Sequence, residues 1–296
     1  MKNVAVIGLG NMGMGMAHNL VRKGFSVSGF ARTLETRQAL DRIGGQSRES
    51  SAQAAKGCDA VFLMVLNGEQ VLDILRNGLK DALSPGATLI VTATIGRSAM
   101  LHVEALLQGS GVHLLDSPVS GGRGGAEAGS LTLMVAGAAS VLEGNRDVLE
   151  AIGKNIYHVG EQVGHGQVLK ACLQALIGVT YEGLFEAMVL GAKAGLDPQV
   201  LSTVINNSFV GSRLTETTTA LVVQRQFQGG GSHIGTMHKD FGISMDMARE
   251  LGVPMPAASV AMQMFQAGKT AIPDGDNWCI VQLLEQLAAT QIRKAS

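Results

Sequence analysis

Over the first 160 residues, short apolar runs alternate with segments long enough to be helices. The runs are "NVAVIG", "SVSGF", "AVFLMV", "ATLIVTA", "VHLLDSPV", "LTLMVAG" and "NIYHVG". Runs rich in Val, Ile and Leu, with few polar residues between, suit parallel strands covered on both faces, and such strands need helical crossovers. The pattern predicts a doubly wound α/β domain. After "IYHVGEQVGHG" the rhythm changes. Residues 167–195 carry apolar positions three and four apart with no proline, which predicts one long helix ending at Gly195. Asp197 and Pro198 then supply an N-cap and a first-turn proline for the next helix. Further helices are predicted around 214–224, 237–252, 256–268 and 277–293, with no convincing strand past residue 160. The expected organisation is therefore an α/β domain at 1–162 followed by an all-α domain at 163–296, which begins with a long interdomain helix.

In "VIGLGNMGMGMAHNL" a strand runs into GxGxxG and then a helix, the context that a dinucleotide-binding Rossmann turn requires. Gly8 permits the tight turn, Gly10 lets the main chain approach a pyrophosphate, and Gly13 allows close helix–strand packing. The pyrophosphate would sit at the helix N-terminus near Asn11. Where an NAD-specific site carries an acidic residue at the end of the second strand, this chain has Ala31, Arg32 and Thr33. A guanidinium and a hydroxyl bind a 2′-phosphate, so NADP is favoured and NAD stays possible. Glu35 keeps open the alternative that Arg32 is a solvated surface residue.

"LLDSPVSGGRGGAEAGSLTLMVAG" places a second glycine-rich turn at a strand's carboxyl end. Ser120, Gly121 and Gly122 there offer a hydroxyl and closely spaced N–H groups to a small anion such as a carboxylate. Lys170 lies in the first turn of the long helix among apolar neighbours, with Gln174 one turn later on the same face. Such a lysine either snorkels from an exposed face or serves as a proton donor to a developing alkoxide.

Composition changes this picture little. Of 296 residues, 46% are hydrophobic and 16% charged, and the 39 glycines follow no collagen period, so many are expected to be positional. The net charge of -1 gives no general attraction for nucleic acid or an anionic membrane. No run of about 18 uncharged apolar residues is present, and a strand pattern begins within three residues of the N-terminus. A cytoplasmic protein with no nucleic-acid or membrane partner is expected. Cys58, Cys172 and Cys279 are odd in number and widely spaced, which fits reduced core or half-buried residues and no metal site.

Together, "VIGLGNMGMGMAHNLVRKG", "LLDSPVSGGRGGAEAGSLTLMVAG", "GHGQVLKACLQALIG" and "MHKDFGISMDMARELGVPMP" resemble the β-hydroxyacid dehydrogenases, in order and over nearly the whole chain. The resemblance implies hydride transfer between a nicotinamide cofactor and a small 3-hydroxy or 2-hydroxy acid or semialdehyde. It implies cofactor contacts from Gly8, Leu9, Gly10, Asn11, Met12 and Gly13, from Val65, Leu66 and Asn67, and from Thr94 near the nicotinamide. It also implies substrate contacts from Ser120, Gly121 and Gly122, with Lys170 as general acid and base, Gln174 in place of a more common asparagine, and Lys239 closing over cofactor and substrate. Arg123 stands where relatives often have a small residue, and is either a contact for a polar substrate tail or a rim arginine. Asn67 replaces a common proline. Ser208, Phe209 and Arg213 are candidate specificity residues. A small-carbonyl or imine reductase on the same scaffold, and a non-catalytic NADP-binding protein, are the competing readings; Lys170 weighs against both. The apolar helical half predicts a homodimer or homotetramer.

Overall fold

The computed structural model describes residues 2–293. Among the described residues nine strands form one sheet: β1 Asn3–Ile7, β2 Ser26–Phe30, β3 Gln46–Ser47, β4 Ala60–Leu63, β5 Thr88–Val91, β6 His113–Asp116, β7 Val119–Ser120, β8 Leu131–Ala136 and β9 Gly153–Gly160. Their order is β3-β2-β1-β4-β5-β6-β8-β7, with β9 beside β8. Pairing is parallel from β3 through β6, antiparallel at β6–β8 and β7–β8, and parallel again at β8–β9. Each of the seven apolar runs contributes strand residues. The "VHLLDSPV" run is broken into β6 and β7 at Ser117 and Pro118, because proline brings no N–H to a ladder. Strand β3 is an addition to the expected set. It has two residues, one exposed and one half-buried, and is too short and polar for a periodicity signal.

The sheet is covered on both faces, as its apolar runs require. Along β1, Val4 and Val6 enter one core with Phe62 and Ile90, while Ala5 and Ile7 enter the other with Val61, Leu63, Leu89 and Val91. All of these are at most 1% exposed. From β1 the chain builds outward on one side through β2 and β3, and on the other through β4, β5 and β6. The carboxyl ends of β1 and β4 therefore form the switch point, where ligands of open α/β sheets bind.

Two compact units divide between Lys170 and Ala171, inside the 29-residue helix His165–Lys193. By length and apolarity this helix is sufficient to cross a membrane, but half of its most apolar window is buried within the protein, as in a core helix. It stops two residues before the predicted Gly195. Gly195 adopts φ +83° and its N–H reaches Ala192 O, while Leu196 N–H reaches Gly191 O, so the last carbonyls are capped.

In the second unit the helices are Pro198–Asn207, Arg213–Val223, Ile234–Leu251 and Pro256–Ala271. Asp197 caps the first through Oδ1, which accepts from Gln199 N at 2.7 Å. The helix expected at 277–293 is shorter. A 3₁₀ turn at Asn277–Ile280 leads to a helix at Val281–Leu287, and the chain reverses at Ala289, whose φ is +45°. Glu285 stabilises that reversal, its carboxylate accepting from Ile292 N at 2.7 Å. The unit's core centres on Phe185, Phe241, Phe265 and Trp278. Gly178 is required there, because a Cβ on it would lie 2.4 Å from the Phe241 ring.

Candidate active site

In the first unit the three opening glycines are held for three separate reasons. Gly8 has φ +94°, and a Cβ on it would lie 2.2 Å from Met64 O at the end of β4. A Cβ on Gly13 would lie 1.9 Å from Gly8 O, so the helix Asn11–Arg22 rests directly on the turn. A Cβ on Gly10 would meet nothing within 4 Å, and Gly10 has φ -69°, which any residue adopts. Neither strain nor packing explains a glycine there. Open space at a helix N-terminus, beside uncapped N–H groups, is what an approaching phosphate requires. The residues thus fit a dinucleotide. Leu9 is buried in the core beneath the turn, Asn11 is exposed and Met12 is half-buried.

At the end of β2, Arg32 and Thr33 are exposed and Ala31 is half-buried. The Thr33 hydroxyl caps the helix Leu34–Arg42. A second guanidinium lies here: Arg37 donates to Ala31 O at 3.0 Å and to Arg32 O at 3.2 Å. The sequence pattern does not single it out, although it stands five residues beyond Arg32, one helical turn into the following helix. After β4, Val65 is half-buried and Leu66 exposed. The Asn67 side-chain oxygen Oδ1 accepts from Gln70 N at 2.9 Å and so caps the helix Gly68–Ile74.

The second glycine turn uses positive φ at both Gly121 (+132°) and Gly122 (+59°), where it passes from β7 into the helix Gly122–Ala128. Ser120 sits in β7, paired with Thr132. Arg123 is exposed and bound to Glu127 four residues on, Nε to Oε1 at 2.6 Å, on the surface of its own helix. This short helix packs backbone to backbone on Asn11–Arg22 at Gly15, where a Cβ would lie 2.8 Å from the Ala126 carbonyl carbon. Asn19 seals the contact. Its buried amide donates to Gly15 O at 2.9 Å, Ala126 O at 2.8 Å and Glu127 O at 3.2 Å. The two glycine-rich loops are thereby tied together through their helices, by a residue whose sequence signal is only a polar position on an apolar helix face.

Lys170 is 7% exposed and lies in the first turns of the long helix. Just before it, Gln167 and Asp116 form a buried polar cluster. Asp116 Oδ2 accepts from Gly164 N at 3.0 Å and Gln167 N at 3.2 Å, and Oδ1 accepts from Gln167 Nε2 at 2.8 Å. Gln167 Nε2 also donates to Ala93 O at 3.2 Å, and its Oε1 accepts from Ile95 N at 2.9 Å and Gly96 N at 3.1 Å. The segment thus held carries Thr94. Burial pushes the Asp116 carboxyl up to about 6, against the N–H groups of Gln167, Gly164 and Gly166, which pull it down.

In the second unit Gln174 is buried and donates to Asp240 Oδ2 at 2.9 Å. Asp240 also pairs with Lys239, Nζ to Oδ1 at 2.6 Å. The Asp240 carboxylate thus holds both the neighbouring ammonium and the Gln174 amide. Ser244, one turn beyond, donates to Ala171 O at 2.8 Å and fixes the helix Ile234–Leu251 against the long helix. In the loop Ser208, Phe209 and Val210 are exposed, as is Arg213 at the start of the next helix. Cys58 and Cys279 are buried, and burial drives the Cys279 thiol up to about 12, in keeping with packing; Cys172, by contrast, is exposed. No group of three or more metal-ligating side chains occurs among the described residues.

Two family descriptions cover the chain. "NAD binding domain of 6-phosphogluconate dehydrogenase" matches residues 3–160, and "NAD-binding of NADP-dependent 3-hydroxyisobutyrate dehydrogenase" matches 164–284. The chain is 31% identical to 2-(hydroxymethyl)glutarate dehydrogenase of Eubacterium barkeri, over 98% of its own length and 97% of the relative's. It is 34% identical to L-threonate dehydrogenase of Cupriavidus necator, over 93% of each. The solved structure of Mycobacterium tuberculosis 3-hydroxyisobutyrate dehydrogenase with L-serine superposes with a TM-score of 0.89 at 31% identity, covering 96% of this chain and 99% of that one. With a dinucleotide turn at the sheet's switch point and a buried lysine at the head of the long helix, the chain belongs to the β-hydroxyacid dehydrogenase family and is an NAD(P)-dependent oxidoreductase acting on CH–OH groups.

Proposed function

We propose that the protein interconverts a small 3-hydroxy or 2-hydroxy carboxylate and its oxo acid or semialdehyde, using NADP(H) in preference to NAD(H), with Lys170 as general acid and base. The observation that carries this reading is the placement of Lys170, a buried ammonium three residues beyond the Gln167 amide that holds the Thr94 segment. The nicotinamide supplies or accepts the hydride; the protein's task is to orient the acid, exclude water and handle the alcohol proton. Ser120 and the N–H groups of Gly121 and Gly122 bind the substrate carboxylate. Lys170 protonates the forming alkoxide in reduction and, when neutral, removes the hydroxyl proton in oxidation. Gln174, four residues later on the same helix and aligned by Asp240, hydrogen-bonds a substrate oxygen, and Lys239 is assigned to cofactor and substrate binding. Arg32 and Arg37 at the end of β2 support the preference for a 2′-phosphate.

The named relatives suggest which acids to try. Turnover with NADP+ and L-threonate, 3-hydroxyisobutyrate, L-serine and 2-(hydroxymethyl)glutarate is the direct assay. Lys170→Ala is expected to lower kcat by about 10²–10⁴-fold on whichever acid reacts, with little change in NADPH affinity. Near-normal turnover in that variant would sink the assignment.

The same reading takes the protein to be cytoplasmic and to assemble as a homodimer or homotetramer. Leu176, Gly183, Ala187 and Leu190 lie exposed along one side of the long helix, and Leu196, Val200 and Val204 are exposed just beyond it. A second copy would cover such a surface. Light scattering of the purified chain tests this, and a monomer at micromolar concentration would refute it.

A further inference from the structure

We propose that Gln167, held by Asp116, is a positioning residue that sets Lys170 against the Thr94 segment. The inference rests on the assignment of Lys170 as the acid and base. Gln167 is 1% exposed, and each hydrogen-bonding position of its amide is used. Nε2 spends its two hydrogens on Ala93 O and Asp116 Oδ1, and Oε1 accepts from Ile95 N and Gly96 N. The amide cannot flip. Reversal would set Nε2 against two N–H donors and Oε1 against two acceptors, and would lose all four bonds.

The backbone around Gln167 is equally constrained. Asp116, at the end of β6, accepts Gly164 N and Gln167 N, satisfying N–H groups at the start of the long helix that have no partner within it. A Cβ on Gly166 would lie 2.6 Å from Met134 O and 2.9 Å from Asp116 O, so the helix start is pressed onto β8 and β6. One side chain thus joins the end of β6, which leads through Pro118 to Ser120, with the segment after β5 that carries Thr94 and with the helix turn that carries Lys170. Because Gln167 and Lys170 are three residues apart on that helix, moving one moves the other.

The reciprocal exchange tests the pair. In Asp116→Asn, either orientation of the new amide faces a donor: its NH₂ group meets Gln167 Nε2 one way, and the N–H groups of Gly164 and Gln167 the other. In Gln167→Glu, two carboxylates face each other. In the double variant the amide introduced at position 116 donates to the carboxylate introduced at position 167. The Ile95 and Gly96 N–H groups keep an acceptor, and the net charge of the pair is unchanged. The donor to Ala93 O is lost and a carboxylate oxygen faces that carbonyl instead, so rescue is expected to be partial.

The variants are assayed with NADP+ and the four acids named above, by NADPH fluorescence titration, and by hydrogen exchange at Ile95 and Gly96. Each single variant is expected to lower kcat by about tenfold or more with KM for NADP+ within about threefold, and to speed exchange at Ile95 and Gly96 by about tenfold or more. The double variant is expected to regain at least about threefold of both losses relative to Gln167→Glu. Native kcat and native exchange in the single variants would overturn the proposal, as would a double variant no better than the worse single one. A single variant whose NADPH affinity falls as far as its kcat would overturn it too, by indicating a general loss of fold. If none of the four acids reacts, exchange alone decides. Lys170→Ala separates the two levels: normal turnover there refutes the assignment of Lys170, whereas an inactive Lys170→Ala beside fully active single variants refutes only the role of Gln167.

Discussion

Gly10 and Gly13 lie three residues apart in one turn, yet substitution should damage different properties. In Gly13→Ala the new methyl would lie 1.9 Å from Gly8 O and 3.6 Å from Val6 Cγ1. A backbone carbonyl cannot swing aside like a flexible side chain, so the helix must lift from β1, at a cost of about 3–5 kcal/mol. In Gly10→Ala the methyl meets no protein atom within 4 Å, and the backbone at φ -69° and ψ -170° suits alanine. Gly10 is the N-cap of its helix, where alanine is somewhat poorer than glycine, so the stability cost should stay below about 1 kcal/mol. The methyl does, however, occupy the space that pyrophosphate oxygens would need to come within about 2.9 Å of the N–H groups. A loss of about 100-fold in NADPH affinity, near 2.7 kcal/mol, is expected. Urea unfolding gives the first quantity and NADPH fluorescence titration the second. Wild-type NADPH affinity in a folded Gly10→Ala protein would refute the placement of the pyrophosphate; loss of stability equal to that of Gly13→Ala would refute the reading of the open space.

Three further outcomes are expected. Arg32→Asp should reduce affinity for NADPH relative to NADH by about 10–100-fold, the worth of one charge-assisted contact, measured by paired titrations. Asn19→Ala leaves the Gly15, Ala126 and Glu127 carbonyls short of a donor in a buried contact, and should lower unfolding free energy by about 2–4 kcal/mol in urea. Glu182 is buried in the long helix with Oε2 lacking a hydrogen bond, and burial, aided by Glu186, pushes its carboxyl up to about 7. Its folded form holds a proton that the unfolded chain has released, so stability falls as pH rises from about 4.5 to 7. Glu182→Gln should therefore gain about 1–2 kcal/mol at pH 8, after solvent screening from the exposed Glu186 side, and almost nothing at pH 4.5; an equal gain at both would show that the carboxyl stays ionised.

What can be read in the sequence depends on how local each signal is. Strands β1, β4 and β5 lie wholly or almost wholly between two cores, so their apolar runs are unbroken and legible. Gly8, Gly10 and Gly13 are legible because a turn, a ligand approach and a helix contact at fixed spacing leave one pattern. Strand β3 and the early end of the last helix depend on tertiary partners, namely β2 for the first and Glu285 for the second. Asn19, Asp116, Gln167 and Asp240 escape sequence reading for a common physical reason. Each satisfies buried donors or acceptors that are far from it in the chain, or belongs to a pair such as Gln174 and Asp240 separated by 66 residues. A lone Asn or Gln on an apolar helix face looks like a solubilising interruption. Only its partners reveal that it is buried and saturated. The residues expected to handle the substrate can thus be inferred from motif, whereas those that fix its geometry have to be found through the hydrogen bonds they complete. If Lys170 is the proton donor proposed above, the second group bears on rate through Gln167: a lysine that transfers a proton over about 3 Å gains little from being present if the turn that carries it can shift by about 1 Å.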